Sequence, residues 1–123
     1  MRILVCGGRD FDSSKVWIWL EHVMKAELGF YAGASIDCII HGGATGADST
    51  AGRWAESEGI KVHSFPVRKE DWKKYGKNAG PMRNRKMIIE GKPDVVIAFP
   101  GGKETESMIN LADEYGIRVV RAE

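Results

Sequence analysis

Five short apolar runs alternate with amphipathic segments along the 123 residues of the chain. The runs show no polar alternation, which is typical of strands that are buried on both faces, as in a parallel sheet. Each run is followed by glycine, proline or the end of the chain. We therefore expect strands at residues 3–6, 38–40, 60–65, 95–99 and 117–120.

The segments between these runs predict four helices. Asp12-Ser13-Ser14 offers caps for a first helix that ends near Gly29, and Pro81 suits the first position of the third. The second and fourth helices are expected at about 47–58 and 104–115. Strands that alternate with helices predict one α/β domain, a three-layer fold around a mostly parallel five-stranded sheet with right-handed crossovers. Residues 66–80 show weak periodicity and are expected to form a long loop.

Three glycine pairs follow three of the predicted strands and precede helices. Glycine lets backbone amides approach an anion, and the start of a helix adds partial positive charge. At the carboxyl edge of a parallel sheet these turns predict a site for a phosphate-bearing ligand. Neither G-x-G-x-x-G nor a P-loop occurs, which disfavours a common dehydrogenase or ATPase. The pairs are Gly7-Gly8, Gly42-Gly43 and Gly101-Gly102.

Several polar side chains flank these turns. Arg9 is a candidate to bind a phosphate group, and Asp10 is a candidate acceptor for ribose hydroxyls. The alternative is that Arg9 and Asp10 form an ion pair with each other that only orders their loop. Asp48 is either a ligand-binding residue or, as we favour, a helix cap. The small residues around these turns include three further candidates for contact with the ligand, namely Ala44, Thr45 and Thr105.

Charge is unevenly distributed along the chain, although the formal net charge is only +1. Residues 68–86 carry eight basic and two acidic side chains, so this basic segment is +6 and the remainder is −5. Such a segment is either an anion site or a solvated surface. Trp72 and Tyr75 within it either stack on a base or fix the loop to the body of the fold.

Other features exclude several classes of protein. No apolar stretch approaches the length of a membrane span, and the chain begins without the apolar core of a signal peptide. Cys6 and Cys38 lie in apolar runs without metal-ligand spacing, so we expect reduced core cysteines in a cytoplasmic protein with no metal and no cofactor.

The first predicted helix has apolar residues on more than one face, at Trp17-Ile18-Trp19. This apolar surface favours a homodimer or higher oligomer.

Five motifs in order together resemble the YspA-like branch of the SLOG superfamily, across essentially all of residues 1–123. The resemblance implies a single Rossmann-like domain that binds a nucleotide or a nucleotide-derived ligand. Relatives include phosphoribohydrolases of the lonely-guy type, DNA-processing protein A and ligand-sensing domains of bacterial defence systems. The motifs are Gly7-Gly8-Arg9-Asp10-Phe11, His41-Gly42-Gly43-Ala44 with Gly46-Ala47-Asp48, Asp71-Trp72 through Tyr75-Gly76, Ala79-Gly80-Pro81-Met82-Arg83-Asn84-Arg85, and Ala98-Phe99-Pro100-Gly101-Gly102.

The phosphoribohydrolases of this superfamily carry Pro-Gly-Gly-x-Gly-Thr-x-x-Glu and an Arg-Lys pair. Arg85-Lys86 matches the pair, and Pro100, Gly101, Gly102 and Thr105 match the phosphate turn. The chain departs from the motif at Glu104, where the family has glycine, and at Met108, where it has the catalytic glutamate. A methionine cannot transfer a proton or stabilise positive charge.

Three functions follow from these features. The first is a sensor or sequestering protein for a nucleotide-derived molecule, ADP-ribose-like or cyclic, in a phage or bacterial defence setting. Arg9, Arg83 and Arg85 would then meet phosphates, with Asn84 in the same motif and Trp72 or Tyr75 on the base. The second is a phosphoribohydrolase or N-glycosidase with catalytic candidates Arg85, Glu104 and Asp10. The third is single-stranded DNA binding, which the small net charge disfavours.

Overall fold

A computed structural model describes residues 1–29 and 35–122 of the chain. Its centre is a five-stranded sheet in which every neighbouring pair is parallel, in the order β3-β2-β1-β4-β5. All five predicted strands are confirmed, with ends that differ by at most one residue. Their bounds are β1 Arg2–Cys6, β2 Cys38–His41, β3 Lys61–Ser64, β4 Val95–Ala98 and β5 Arg118–Arg121.

Six α-helices and one 3₁₀ helix connect these strands in the described residues. The second and fourth predicted helices are confirmed as α3 and α6, each within about one residue of the expected ends. The helices are α1 Ser13–His22, α2 Met24–Leu28, α3 Ala47–Ser57, α4 Lys69–Tyr75, α5 Ala79–Gly91 and α6 Lys103–Glu114, and the 3₁₀ helix is Gly76–Asn78.

The central strands are buried on both faces, as their continuous apolar runs predict. Ile3 and Val5 of β1 point into a core with α1 and α3, while Leu4 on the opposite face packs with α5 and α6. Side chains alternate between the two faces of a strand, so each layer of helices covers its own set of apolar residues. The three-layer Rossmann-like α/β fold is thereby confirmed.

The first predicted helix is interrupted near its middle. Asp12 caps α1 as expected, since its Oδ1 accepts a hydrogen bond of 2.8 Å from the amide of Ser14. At Val23 the backbone φ opens to −112°, and α2 continues to Gly29, whose positive φ of 73° ends it. Met24, which the apolar pattern of this segment predicts to be buried, is buried, and so is Leu28 beyond it.

The predicted long loop at residues 66–80 is wrong. Most of it forms α4 and the 3₁₀ helix, and α5 begins at Ala79, so that Pro81 is the third helical residue. An exposed hydrogen bond of 3.1 Å from the amide of Arg68 to Asp71 helps start α4. No residue of α4 is buried, and a helix without a buried face leaves no apolar periodicity to read.

Both cysteines are free and buried, as expected. Among the described helices, none combines the length and apolar character needed to cross a membrane.

Candidate functional site

The order of the sheet reverses between β1 and β4, because the chain leaves β1 toward one edge and leaves β4 toward the other. The turns after these two strands therefore diverge, and such a switch point is where open α/β sheets bind ligands. A cavity of about 280 Å³, here called the first cavity, lies at this place. Ten of the predicted site residues line it: Gly7, Gly8, Arg9, Ala44, Asp48, Arg83, Asn84, Gly102, Glu104 and Thr105.

Two further cavities adjoin the first. A bridging cavity of about 110 Å³ is lined by Gly42, Gly43 and Trp72 and shares Arg9, Ala44, Arg83 and Glu104 with the first cavity. An outer cavity of about 640 Å³ includes Tyr75 and again Arg83. Trp72 and Tyr75 are 43% and 36% exposed, so neither fixes the segment by insertion into the core.

Five predicted site residues line none of these three cavities: Asp10, Thr45, Arg85, Pro100 and Gly101. Arg85 instead donates a hydrogen bond of 3.3 Å to the hydroxyl of Tyr115. Thr45 donates to the carbonyl oxygen of Arg9 at 3.4 Å. Within the described residues, Arg9 and Asp10 form no salt bridge, so the alternative of a loop-ordering pair is also not observed.

The turn after β2 uses its amides internally. The amide of Gly42 donates to Oδ2 of Asp48 at 2.9 Å, and the amide of Gly43 donates to Nδ1 of His41 at 2.9 Å. These two amides are not free to bind an anion, contrary to the prediction for this glycine pair. Burial lowers the pKa of His41, which favours the neutral imidazole that can accept this bond.

Asp48 has a different role from the helix cap that we favoured. The N-cap of α3 is Gly46 and has no side-chain capping bond, whereas the Asp48 carboxylate reaches back to Gly42. Asp48 is 6% exposed, and burial raises its pKa to about 6 despite the bond from Gly42 and the nearby charge of Arg83. The carboxyl thus closes the turn and also forms part of the wall of the first cavity.

The turns after β1 and β2 are in direct contact. Gly46 has a φ of +76°, and a Cβ there would collide with the carbonyl oxygens of Gly8 and Arg9. The amide of Gly8 donates to the carbonyl oxygen of Pro100 at 2.9 Å, which joins the turn after β1 to the turn after β4. The Gly8 amide is therefore also occupied.

The start of α6 places further backbone donors at the site. Gly102 is its N-cap and provides no side chain, and the first amide bonded back to Gly102 is that of Glu106, at 3.1 Å. The amides of the first helical turn therefore lack the partner that a capping side chain supplies elsewhere. Thr105, 6% exposed, and Lys103 line the cavity beside them. Lys103 is not among the predicted site residues, although it directly follows a glycine pair in the sequence.

Arg83 is held rigidly at the centre of the site. Its Nη1 donates to the carbonyl oxygen of Gly42 at 2.6 Å, and its Nε donates to Oδ1 of Asn84 at 3.0 Å. Asn84 is buried, so this pair fixes the guanidinium from inside the fold. No described residue accepts a hydrogen bond from Nη2 of Arg83.

The charges around the first cavity suit an anion with polar groups beside it. Arg9, Arg83 and Lys103 line it together with two carboxyls, Asp48 and Glu104. Met108 is 1% exposed and lines the same cavity. The position that corresponds to the catalytic glutamate of the phosphoribohydrolase motif therefore presents a thioether to the cavity and no carboxyl. Within the described part of the chain, no three His, Cys, Asp or Glu side chains come together as metal ligands.

Comparison with known proteins agrees with the resemblance found in the sequence. A sequence model of the "YspA, cpYpsA-related SLOG family" matches residues 1–75, which is more than half of the chain. The chain is also 35% identical over 127 residues to the Gene 61 protein of Mycobacterium phage D29. That alignment covers 97% of this chain and 94% of the phage protein. The chain therefore belongs to the YspA, cpYpsA-related SLOG family.

Proposed function

We propose that this protein binds a nucleotide or a nucleotide-derived small molecule, with a phosphate group of the ligand in the first cavity. The uncapped start of α6 carries this proposal, because it opens on the cavity at the switch point of the sheet. Amides of a first helical turn and the helix dipole favour a bound anion. Membership of a SLOG family supports a nucleotide-related ligand.

The side chains around the helix start fit the same ligand. Arg9 is exposed and can swing onto a phosphate, whereas Arg83 is anchored and offers a fixed charge. The hydroxyl of Thr105 lies in the same turn of α6 and suits a phosphate oxygen. Met108 stands where the hydrolases of the superfamily have glutamate, which favours a sensor or sequestering role over turnover.

Thermal unfolding with a ligand panel tests this proposal. The panel contains pyrophosphate, nucleoside mono- and diphosphates, ADP-ribose and cyclic dinucleotides, at constant ionic strength. A ligand at 100 times its dissociation constant should stabilise the fold by about 2.7 kcal/mol. Arg9→Ala should reduce the stabilisation, and the control Lys15→Ala, an exposed cation on α1, should not. No shift with any member of the panel contradicts the proposal.

Hydrolysis of an N-glycosidic bond is the second candidate function. It is favoured by one observation, that the Glu104 carboxyl lines both the first and the bridging cavity. Chromatography would detect a free base released from a nucleoside monophosphate. Glu104→Gln should abolish the release, and the absence of a free base across the nucleotide panel eliminates this candidate.

A further inference from the structure

The outer cavity is the largest of the three cavities, and no residue at the start of α6 lines it. It lies between the end of β3, α4 and α5, with a volume of about 640 Å³ against about 280 Å³ for the first cavity. Its apolar and aromatic lining is provided by Phe65, Pro66, Tyr75, Ala79 and Met82. The charged residues Arg68, Asp71, Lys86 and Glu90 line it as well. A wall of this mixed kind suits a flat ring with polar edges.

Neighbouring cavities among the three share lining residues, and we refer to these adjoining cavities together as the groove. Arg9, Ala44 and Glu104 line both the first and the bridging cavity, and Pro66 lines both the bridging and the outer cavity. Arg83 lines all three. A single elongated molecule can therefore extend from the start of α6 to the space beside Tyr75.

Arg83 stands at the middle of this groove with its orientation fixed. In addition to the bonds with Gly42 and Asn84, its Nη1 approaches the carbonyl oxygen of Phe65 at 3.5 Å. These contacts connect the guanidinium to the β2 turn, to α5 and to the segment after β3. A charge held in this way costs little ordering entropy when a ligand phosphate meets it.

We propose that the outer cavity binds the planar ring of the same ligand whose phosphate occupies the first cavity, with Arg83 between the two groups. This inference rests on the proposed function and refines it. It assigns the ring to Tyr75 and Met82 rather than to Trp72, which lines the bridging cavity. The ligand class is a nucleotide whose base contributes to affinity, rather than a sugar phosphate alone.

Matched ligands with and without a base test this assignment. Calorimetry compares ribose 5-phosphate with the four common nucleoside 5′-monophosphates, and pyrophosphate with the corresponding diphosphates. At least one nucleotide should bind about tenfold more tightly than its counterpart without a base, as expected for stacking of a ring on an aromatic side chain. The measured quantity is this ratio of affinities.

Neutral truncations locate the ring. Tyr75→Ala should remove most of the ratio and Met82→Ala part of it. Ile89→Ala should leave it unchanged, because Ile89 is a 51% exposed apolar residue of α5 that lines none of the three cavities. Tyr75, Met82 and Ile89 are all exposed, so circular dichroism should show that each variant folds.

Each remaining outcome contradicts either the assignment of the ring to the outer cavity or the proposed function as a whole. If pyrophosphate binds but no nucleotide binds more tightly, the ring assignment is wrong and the phosphate site stands. The assignment is also wrong if Trp72→Ala removes the ratio and Tyr75→Ala preserves it. If neither base-free ligands nor nucleotides bind, the proposed function fails and the ring assignment fails with it.

Discussion

The turns after β2 and β4 begin from the same sequence pattern and use their backbone in opposite ways. Each is a glycine pair between a buried strand and a helix of eleven or twelve residues. After β2, both glycine amides have acceptors inside the protein, one on Asp48 and one on His41. After β4, no described side chain accepts from the amides of Gly101 or Gly102, although α3 and α6 both begin without a capping side chain.

The difference shows that a glycine pair gives close backbone approach but does not by itself make an anion site. What decides is whether a neighbouring side chain already accepts from the amides. At the β2 turn the acceptors close the turn, which forms part of the wall of the first cavity. At the β4 turn no such acceptor occurs among the described residues, and we expect its amides to be donors for a ligand. We therefore expect the β2 turn to support the site and the β4 turn to bind the ligand.

The largest effect should come from Gly46→Ala, which breaks the support given by the β2 turn. The new Cβ would collide with the carbonyl oxygens of Gly8 and Arg9, and φ is +76°. We expect a loss of at least about 2 kcal/mol in the free energy of unfolding, measured by urea denaturation.

Gly59→Ala is the matched control for this strain. Gly59 has a φ of +70° with no atom within 4 Å of the added Cβ, so only the backbone conformation is penalised. Its cost should be about 1 kcal/mol. Equal losses in the two variants would show that the contact between the β1 and β2 turns contributes little to stability.

The second prediction converts the β4 turn into the self-bonded type. Gly102→Asp places a carboxylate at the N-cap of α6, where no atom lies within 4 Å of the added Cβ. Because glycine is itself a tolerated N-cap residue, the new cap should stabilise the fold by only about 0.3 kcal/mol. Affinity for pyrophosphate should fall at least about tenfold, because the carboxylate takes the amides and repels the anion.

Gly102→Ala separates the two effects of that substitution. It adds a Cβ without an acceptor or a charge, so pyrophosphate affinity should stay within about twofold of the wild type. Calorimetry at constant ionic strength measures both variants. Tight pyrophosphate binding by Gly102→Asp would show that the anion does not use the start of α6.

The third prediction concerns pH and the carboxyl that closes the β2 turn. The pKa of Asp48 is raised to about 6, so its negative charge in the cavity wall disappears as pH falls through that value. Affinity for sulfate, whose own charge is constant in this range, should rise about threefold from pH 7.5 to 5.5. Asp48→Asn should bind sulfate more tightly at pH 7.5, with a smaller pH dependence.

The Asn variant retains an oxygen that can accept from the amide of Gly42, so the turn should remain closed. Among the groups near Asp48, Arg83 keeps its charge over this range, and Gly42 and Ala44 contribute only backbone amides. Glu104, the other carboxyl near it, is present in both proteins. A pH dependence that is the same in wild type and Asp48→Asn would assign the titration to another group.

Much of the fold followed from the sequence because it depends on burial. A strand such as β4, with all four residues buried, has no polar position to obscure its apolar run. By contrast, α4 packs no buried residue and could not be read from periodicity. The break at Val23 could not be predicted, because Leu20, Met24 and Leu28 follow at intervals of four residues across it, as in an uninterrupted helix.

The site was predictable only as far as local sequence determines it. Glycine pairs and helix starts indicated the correct edge of the sheet. The partners of the amides were not predictable, because the acceptor for Gly42 comes from the following helix and the anchor of Arg83 lies 41 residues away. Contacts of this kind depend on tertiary packing, so the sequence could not distinguish an open turn from a closed one.

The smallest expected effect belongs to Arg85, which the resemblance pairs with Lys86 as a catalytic candidate. Arg83 and Arg85 are two residues apart on α5, so their side chains leave the helix about 200° apart. Arg83 enters the first cavity, whereas Arg85 lies in a groove between α5 and α6 and donates to Tyr115.

Arg85→Ala should therefore leave pyrophosphate affinity within about twofold of the wild type, since an exposed charge outside the cavity is screened by solvent. The same groove also contains Lys103, the first residue of α6. A tenfold loss on Arg85→Ala would therefore mean that the anion approaches α6 from this groove, and the β4 turn would then bind through side chains rather than through its uncapped amides.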